Sequence, residues 1–319
     1  MKILVTGANG FVGKSLSAGL FVQGHTVQAT VRTKIAPIEN VEMTIVGEVN
    51  GSTDWSQSLA GVSTVVHLAA RVHIMCDSAA NPLAEFRAVN VHGTLNLARQ
   101  AAAAGVRRFV FLSSIKVNGE HTDLGSPFNA EQMPAPQDAY GISKHEAELG
   151  LRGIAAETGM QVVIIRPPLI YGAGVKANFA SLLCVVRRGV PLPLGLAAHN
   201  HHSFVSLNNL VDFIITCIQH PNAANQTFLV SDNDDVSTAE LLRRMAVALG
   251  VPARLIPVPL CVLNVSAKLL GKADVAQRLL GNLQVDITKS NALLGWEPPF
   301  SMAEGLRATA LGMAELNHK

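Results

Sequence analysis

The sequence predicts a doubly wound α/β fold, a parallel sheet with helices on both faces, followed by a smaller and mostly helical lobe. Three observations carry this. Short apolar runs alternate with helical patterns through the first half, as strands joined by crossover helices do. The chain opens Met-Lys-Ile-Leu-Val-Thr-Gly-Ala-Asn-Gly-Phe-Val-Gly, a strand running into three evenly spaced glycines. After Pro167 the alternation loosens and helices dominate. The expected division is 1–166 for the sheet domain and 167–319 for the lobe, with segments of the lobe returning to the sheet.

Ile3 to Val5 is a buried strand by its apolar run. Leu16, Leu20 and Phe21 give the next helix its apolar face, and Gly24 ends it. Between them Gly7 permits a tight turn, Gly10 lets the backbone approach a phosphate, and Gly13 allows helix and strand to pack closely. A free helix N-terminus at that point suits the pyrophosphate of a dinucleotide. Further strands are expected at Thr26–Val31, Val41–Val46, Thr64–Leu68, Arg108–Ser113 and Gln161–Arg166. Helices are expected at Trp55–Leu59, Leu83–Ala104 and Ala139–Glu157. Beyond Pro167 the pattern gives helices at 178–188, 207–219, 238–249, 259–270, 288–294 and 302–316, with one strand at 227–230.

Composition narrows the class. Of 319 residues, 49% are hydrophobic and 15% charged, so the chain is globular rather than disordered. A net charge of +2 gives no reason to expect nucleic acid or an anionic membrane as partner. The four cysteines, Cys76, Cys184, Cys217 and Cys261, form no CxxC pair, so neither a metal nor a disulfide framework is expected, and reduced thiols suit the cytoplasm. The first apolar run breaks at Thr6-Gly7 and is no signal peptide. The stretch Val258–Leu270 is too short and too polar to span a bilayer. His199, His201 and His202 have no carboxylate or thiol beside them and read as a polar loop.

Two patterns carry chemistry. The second strand ends Ala29-Thr30-Val31-Arg32, with no acid for a ribose 2′-hydroxyl and an arginine placed for a 2′-phosphate. NADP is therefore expected in preference to NAD. Tyr140-Gly-Ile-Ser-Lys144 sets a phenol and an ammonium one turn apart on a helix. The lysine cation and a positive nicotinamide both favour the phenolate, so Tyr140 is expected to have a lowered pKa and to act as general acid or base on a sugar oxygen. Ser114, at the end of the fifth strand, is placed to bond the same oxygen.

Over nearly its whole length the chain resembles the extended short-chain dehydrogenases/reductases, in the NAD(P)-dependent epimerase/dehydratase group that acts on nucleotide sugars. The resemblance rests on Thr6-Gly-Ala-Asn-Gly-Phe-Val-Gly13, His67-Leu-Ala-Ala70, Asn90-Val-His-Gly-Thr94, Leu112-Ser-Ser114, Tyr140-Gly-Ile-Ser-Lys144, Arg166-Pro-Pro-Leu-Ile-Tyr-Gly172, and Leu294-Gly-Trp296 with Pro298. It implies a Rossmann fold with Ser114, Tyr140 and Lys144 as the catalytic set. It implies a cofactor bound by Gly7, Asn9, Gly10, Phe11 and Val12 at the pyrophosphate, and by Glu48 and Val49 near the adenine. Leu68, Ala69, Ala70 and Pro167 would line it, Asn90 would support the active-site loop, and Lys144 would also hold the nicotinamide ribose. For a UDP-sugar substrate it implies Asn178 at the diphosphate, His202 where an arginine is often found, and Ser114, Lys116 and Asn118 at the sugar; Arg71 and His73, just past the fourth strand, are placed to touch the substrate. It also implies a homodimer paired through the helices at 83–104 and 139–157.

Three functions are expected in order. The first is an NADPH-dependent 4-ketoreductase of a UDP-4-keto-6-deoxy sugar, similar to the UDP-N-acetylquinovosamine reductases of surface-polysaccharide and O-antigen synthesis. The second is a UDP-hexose 4-epimerase with tightly held NAD, and the third a non-catalytic redox sensor. Ile115 stands where 4,6-dehydratases carry an acid, which disfavours that reaction.

Overall fold

The computed structural model describes residues 1–39, 41–72 and 81–316. Seven strands form one sheet: β1 Lys2–Thr6, β2 Thr26–Val31, β3 Glu42–Ile45, β4 Thr64–His67, β5 Arg108–Leu112, β6 Gln161–Arg166 and, after an excursion, β9 Thr227–Leu229. Their order is β3-β2-β1-β4-β5-β6-β9, and every pair is parallel. β7 Leu169–Tyr171 and β8 Phe204–Ser206 form a separate parallel pair. The order reverses between β1 and β4, and at such a switch point the C-terminal strand ends open a crevice for ligand.

The central strands are covered on both sides. One face packs with the helices Phe11–Val22 and Leu207–Gln219, through Leu16, Leu20, Leu210 and Phe213. The other packs with Thr94–Ala103 and Ala139–Thr158, through Leu97, Ala101, Ala147 and Leu151. A third core, around Tyr171, Phe179, Leu242 and Met245, belongs to the later segments. The chain beyond residue 166 thus supplies both a lobe of its own and two elements of the sheet domain, β9 and the helix Leu207–Gln219.

Several details depart from the sequence pattern. The single helix expected over 83–104 is three pieces: Pro82–Phe86, a wide π-type turn Arg87–Gly93, and Thr94–Ala103. A helix at Ala273–Leu280 and the β7–β8 pair were not foreseen. His73 and Cys76 lie outside the described residues.

Candidate active site

The glycine turn is built as its spacing requires. Gly7 has φ +65°, and a methyl group there would lie 2.9 Å from the Ala69 amide nitrogen. Gly10 donates its N–H to the Gly7 carbonyl (2.9 Å) and caps the helix Phe11–Val22 from an extended conformation. No side chain caps that helix among the described residues, and its first turn holds no acid. Its opening amides are thus available to an anion. A methyl group on Gly13 would collide with the Gly7 carbonyl and the Ala8 backbone. This cradle fits a dinucleotide pyrophosphate, with Asn9 and Phe11 at its rim and Val12 packed beneath.

Beneath the cradle lies a buried chain that the sequence did not reveal. The Thr6 hydroxyl accepts from the amides of Leu68 (3.2 Å) and Ala69 (3.1 Å), which leaves its own proton for His67 Nδ1 at 2.7 Å. His67 Nε2 then donates to the Thr94 hydroxyl (3.0 Å). Burial holds the imidazole neutral, with its pKa down to about 3. The chain fixes the end of β4, where Leu68, Ala69 and Ala70 are half-buried, against the glycine turn.

Asn90 sits in the wide turn and is 1% exposed. It accepts from the Arg71 amide (2.8 Å) and donates to the Arg71 carbonyl (3.0 Å) and the Ser143 hydroxyl (3.0 Å). Ser143 in turn donates to the Tyr140 carbonyl (2.8 Å). Asn90 thereby ties the loop after β4 to the helix Ala139–Thr158. The Arg71 guanidinium lies 5.6 Å over Phe86, whose ring meets Tyr140 edge-on at 6.0 Å.

Ser114, Tyr140 and Lys144 come together at the end of β5. Ser114 caps the short turn Ile115–Val117, accepting from the Lys116 amide (3.3 Å), and its hydroxyl is close enough to the Tyr140 phenol to favour the ionised form. Asp138 caps the helix Ala139–Thr158 by accepting from Gly141 (2.6 Å). Lys144 donates to the Leu112 carbonyl (2.9 Å), 4.4 Å above the Phe111 ring. In the protein alone the tyrosine shift runs opposite to expectation. Burial, aided by the Asp138 charge, pushes the phenol up to about 12, against the effect of the Ser114 hydroxyl. Burial likewise brings Lys144 down to about 7, with Glu148 opposing. The spacing of Tyr140 and Lys144 reveals their charges but not the desolvation of both groups.

Under this trio lies a second buried network. Glu148 accepts from Ser113 (2.5 Å) and takes a two-pronged contact from Arg166, at 2.9 and 2.5 Å. Arg166 reaches on to Asn118 (2.9 Å), which donates to the Asn129 carbonyl (3.0 Å). Asn118 is therefore packed inward, 1% exposed, where the sequence suggested a sugar contact. Glu148 was legible in one respect: it stands one turn beyond Lys144, on the same helix face.

The other candidates are spread around the site. Lys116 pairs with Asp138 (2.6 Å) and Glu120 (2.9 Å). Arg32 is exposed just after β2, and Glu48 is exposed, its carbonyl accepting from Thr53 (2.7 Å). Val49 is buried against Gly93, and Pro167 is buried with its carbonyl on the Ile115 amide (3.0 Å). Asn178 is exposed in the first turn of the helix Ala177–Arg187. His202 pairs its backbone with Val236 and packs 6.0 Å from Phe204, and burial lowers its pKa to about 4. Its buried Nε2 has no hydrogen-bond partner among the described residues. Among those residues no cluster of His, Cys, Asp or Glu is arranged to hold a metal.

Comparison with known proteins bears on the fold and the family. Residues 3–231 match the model of the NAD dependent epimerase/dehydratase family. A UDP-glucose 4-epimerase from Vibrio cholerae is 49% identical over 319 residues, spanning all of this chain and 97% of the relative. Among solved structures, the UDP-glucuronic acid 4-epimerase from Bacillus cereus in complex with NAD superposes with a TM-score of 0.79 at 19% identity, over 99% of this chain and 97% of that one. The UDP-glucose 4-epimerase from Thermotoga maritima with UDP-glucose gives 0.78 at 22%, over 99% and 100%. At those identities the two structures speak to the fold. With a family match over most of its length and a full-length relative at 49% identity, this chain belongs to the NAD dependent epimerase/dehydratase family and is an enzyme of nucleotide sugars.

Proposed function

We propose that the protein is a UDP-hexose 4-epimerase working with NAD. The observation that carries this reading is the full-length similarity to a relative named for that reaction, in a chain whose Ser114, Tyr140 and Lys144 stand together. NAD, when bound, accepts and returns the hydride at the sugar carbon. Tyr140 takes the proton of the 4-hydroxyl and later gives one back, and Ser114 holds the same oxygen in line. Lys144 supplies the positive charge that brings the buried phenol towards ionisation. Phosphates of the cofactor would lie on the amides that open the helix Phe11–Val22. The buried, unpartnered Nε2 of His202 suits a contact with the nucleotide diphosphate.

This reverses the order expected from sequence. The NADP preference rested on Arg32, an exposed side chain beyond β2, and the 4-ketoreductase reading on Arg32 together with the resemblance to UDP-N-acetylquinovosamine reductases. The family is NAD dependent, and the Bacillus cereus neighbour was solved with NAD. The sensor reading loses its basis, because a non-catalytic relative has no use for the assembled trio. The test is to incubate the purified enzyme with UDP-glucose and no added cofactor. Formation of UDP-galactose without net absorbance change at 340 nm is the expected result. Failure to interconvert UDP-hexoses, with stoichiometric NADPH consumption on a UDP-4-keto-6-deoxy sugar, overturns it in favour of the reductase. The homodimer through the helical segments at 83–104 and 139–157 belongs to the same reading, and a monomer in sedimentation refutes it.

A further inference from the structure

The helix Leu260–Leu269 has two apolar faces. Leu260 and Leu263 turn inward and pack on the third core together with Leu279 and Leu280 of the next helix. Val262, Val265 and Leu269 follow at spacings of three and four, which puts them on one outward stripe. They are 49%, 57% and 83% exposed, and Leu270 beside them is 72% exposed. No residue of this helix is fully buried. The strand-like segment leading into it pairs Leu255 with Leu192, which brings the Arg187–Val190 corner alongside, and Arg254 donates to the Gly189 carbonyl.

The two segments that meet at the Leu192–Leu255 pairing are rich in basic residues. Residues 176–200 carry Lys176, Arg187 and Arg188 and no acid. Residues 250–285 carry Arg254, Lys268, Lys272 and Arg278 against Asp274 alone. Together these two segments hold seven positive charges to one negative, in a chain whose net charge is only +2. The whole-chain balance, which gave no reason to expect an anionic surface, averages this asymmetry away.

We propose that the outward stripe of the helix Leu260–Leu269, with the lysines at its C-terminal end, docks the protein on the anionic surface of a lipid bilayer. An apolar stripe flanked by basic side chains is what an interfacial helix presents, its apolar side entering the headgroup region and its cations meeting lipid phosphates. Among the described residues no helix is long and apolar enough to cross a membrane, so the contact is peripheral. A second copy of the chain is a poorer occupant. A two-fold contact would set this positive region against itself, with like charges opposed.

The test is co-sedimentation with vesicles, which needs no turnover and is independent of the reaction assigned above. Wild-type protein is expected to pellet with mixed phosphatidylcholine–phosphatidylglycerol vesicles and to remain in solution with phosphatidylcholine alone. Val265→Glu with Leu269→Glu is expected to lower the bound fraction about tenfold or more, and Lys268→Glu with Lys272→Glu to lower it and remove its salt dependence. Unchanged melting curves show that these surface variants fold. The proposal is overturned by no pelleting of the wild type, by equal binding to neutral vesicles, or by undiminished binding of the Val265/Leu269 variant. It is equally overturned by self-association that this variant abolishes without any vesicle binding, which assigns the stripe to a second copy.

Discussion

Replacing Lys144 by methionine should destroy activity and stabilise the protein. The ammonium is 2% exposed, and burial lowers its pKa from 10.5 to about 7. The sign follows from proton linkage. Above pH 10.5 the lysine is neutral folded and unfolded, and nothing is lost. As pH falls from 10.5 to 7 the unfolded chain takes up a proton that the folded chain refuses, so folding weakens steadily and then levels off below pH 7. A depression of that size corresponds to about 5 kcal/mol at 1.36 kcal/mol per unit. Methionine removes the penalty but strands the Leu112 carbonyl that Lys144 serves, which costs about 1–3 kcal/mol. The cofactor-free variant should therefore be more stable by about 2–4 kcal/mol at pH 6, a gap that has vanished or reversed by pH 10. Urea unfolding of both proteins at pH 6, 8 and 10 measures it. A variant less stable than wild type at pH 6, or a gap that ignores pH, refutes the burial argument.

Three other outcomes can be checked. Tyr140→Phe should lower turnover by about 10²–10⁴-fold while cofactor still quenches protein fluorescence, since the phenol acts on the sugar oxygen. Lys116→Met leaves the Asp138 charge uncompensated beside Tyr140, whose pKa that charge already raises. The rising limb of the kcat/KM–pH profile should move to higher pH, and Asp138→Asn, which keeps a capping oxygen, should move it lower. Arg166→Met leaves the buried Glu148 carboxylate with only the Ser113 hydroxyl and the exposed Arg152 guanidinium 3.9 Å away, and chemical denaturation should show a loss of about 3–5 kcal/mol, with Arg166→Met/Glu148→Met recovering most of it.

What the sequence disclosed was what repeats at short range. The glycines at 7, 10 and 13 dictated a turn whose geometry allows little else, and Tyr140 with Lys144 shared a face because one helical turn separates them. The central strands of the main sheet were visible because they carry continuous apolar runs, Ile3–Val5, Phe109–Leu112 and Val162–Ile165. β7 and β8, three residues each, have too few positions to show a period. The buried networks were invisible for another reason. Glu148 meets Arg166, and Thr6 meets His67, only after β1, β4 and β6 have paired, and a single sequence holds no trace of that proximity. Lys116 and Asn118 were assigned to the sugar because their neighbour Ser114 faces it. The turn Ile115–Val117 sends their side chains elsewhere, one to Asp138 and one to Arg166.

The wide turn Arg87–Gly93 carries one residue more per winding than the α-helix on either side of it. It is in effect a single-residue insertion accommodated without breaking the rod. Deleting one residue from this stretch, with Asn90 itself kept, should let it relax into regular helix with both flanking segments still in phase, while the residues inside the turn are carried round its axis. Asn90 would then point away from Arg71 and Ser143, although no residue in contact with sugar or cofactor had been altered. The segment is thus constrained in length as well as in letters, and Asn90→Ala and a one-residue deletion beside it should produce the same defect.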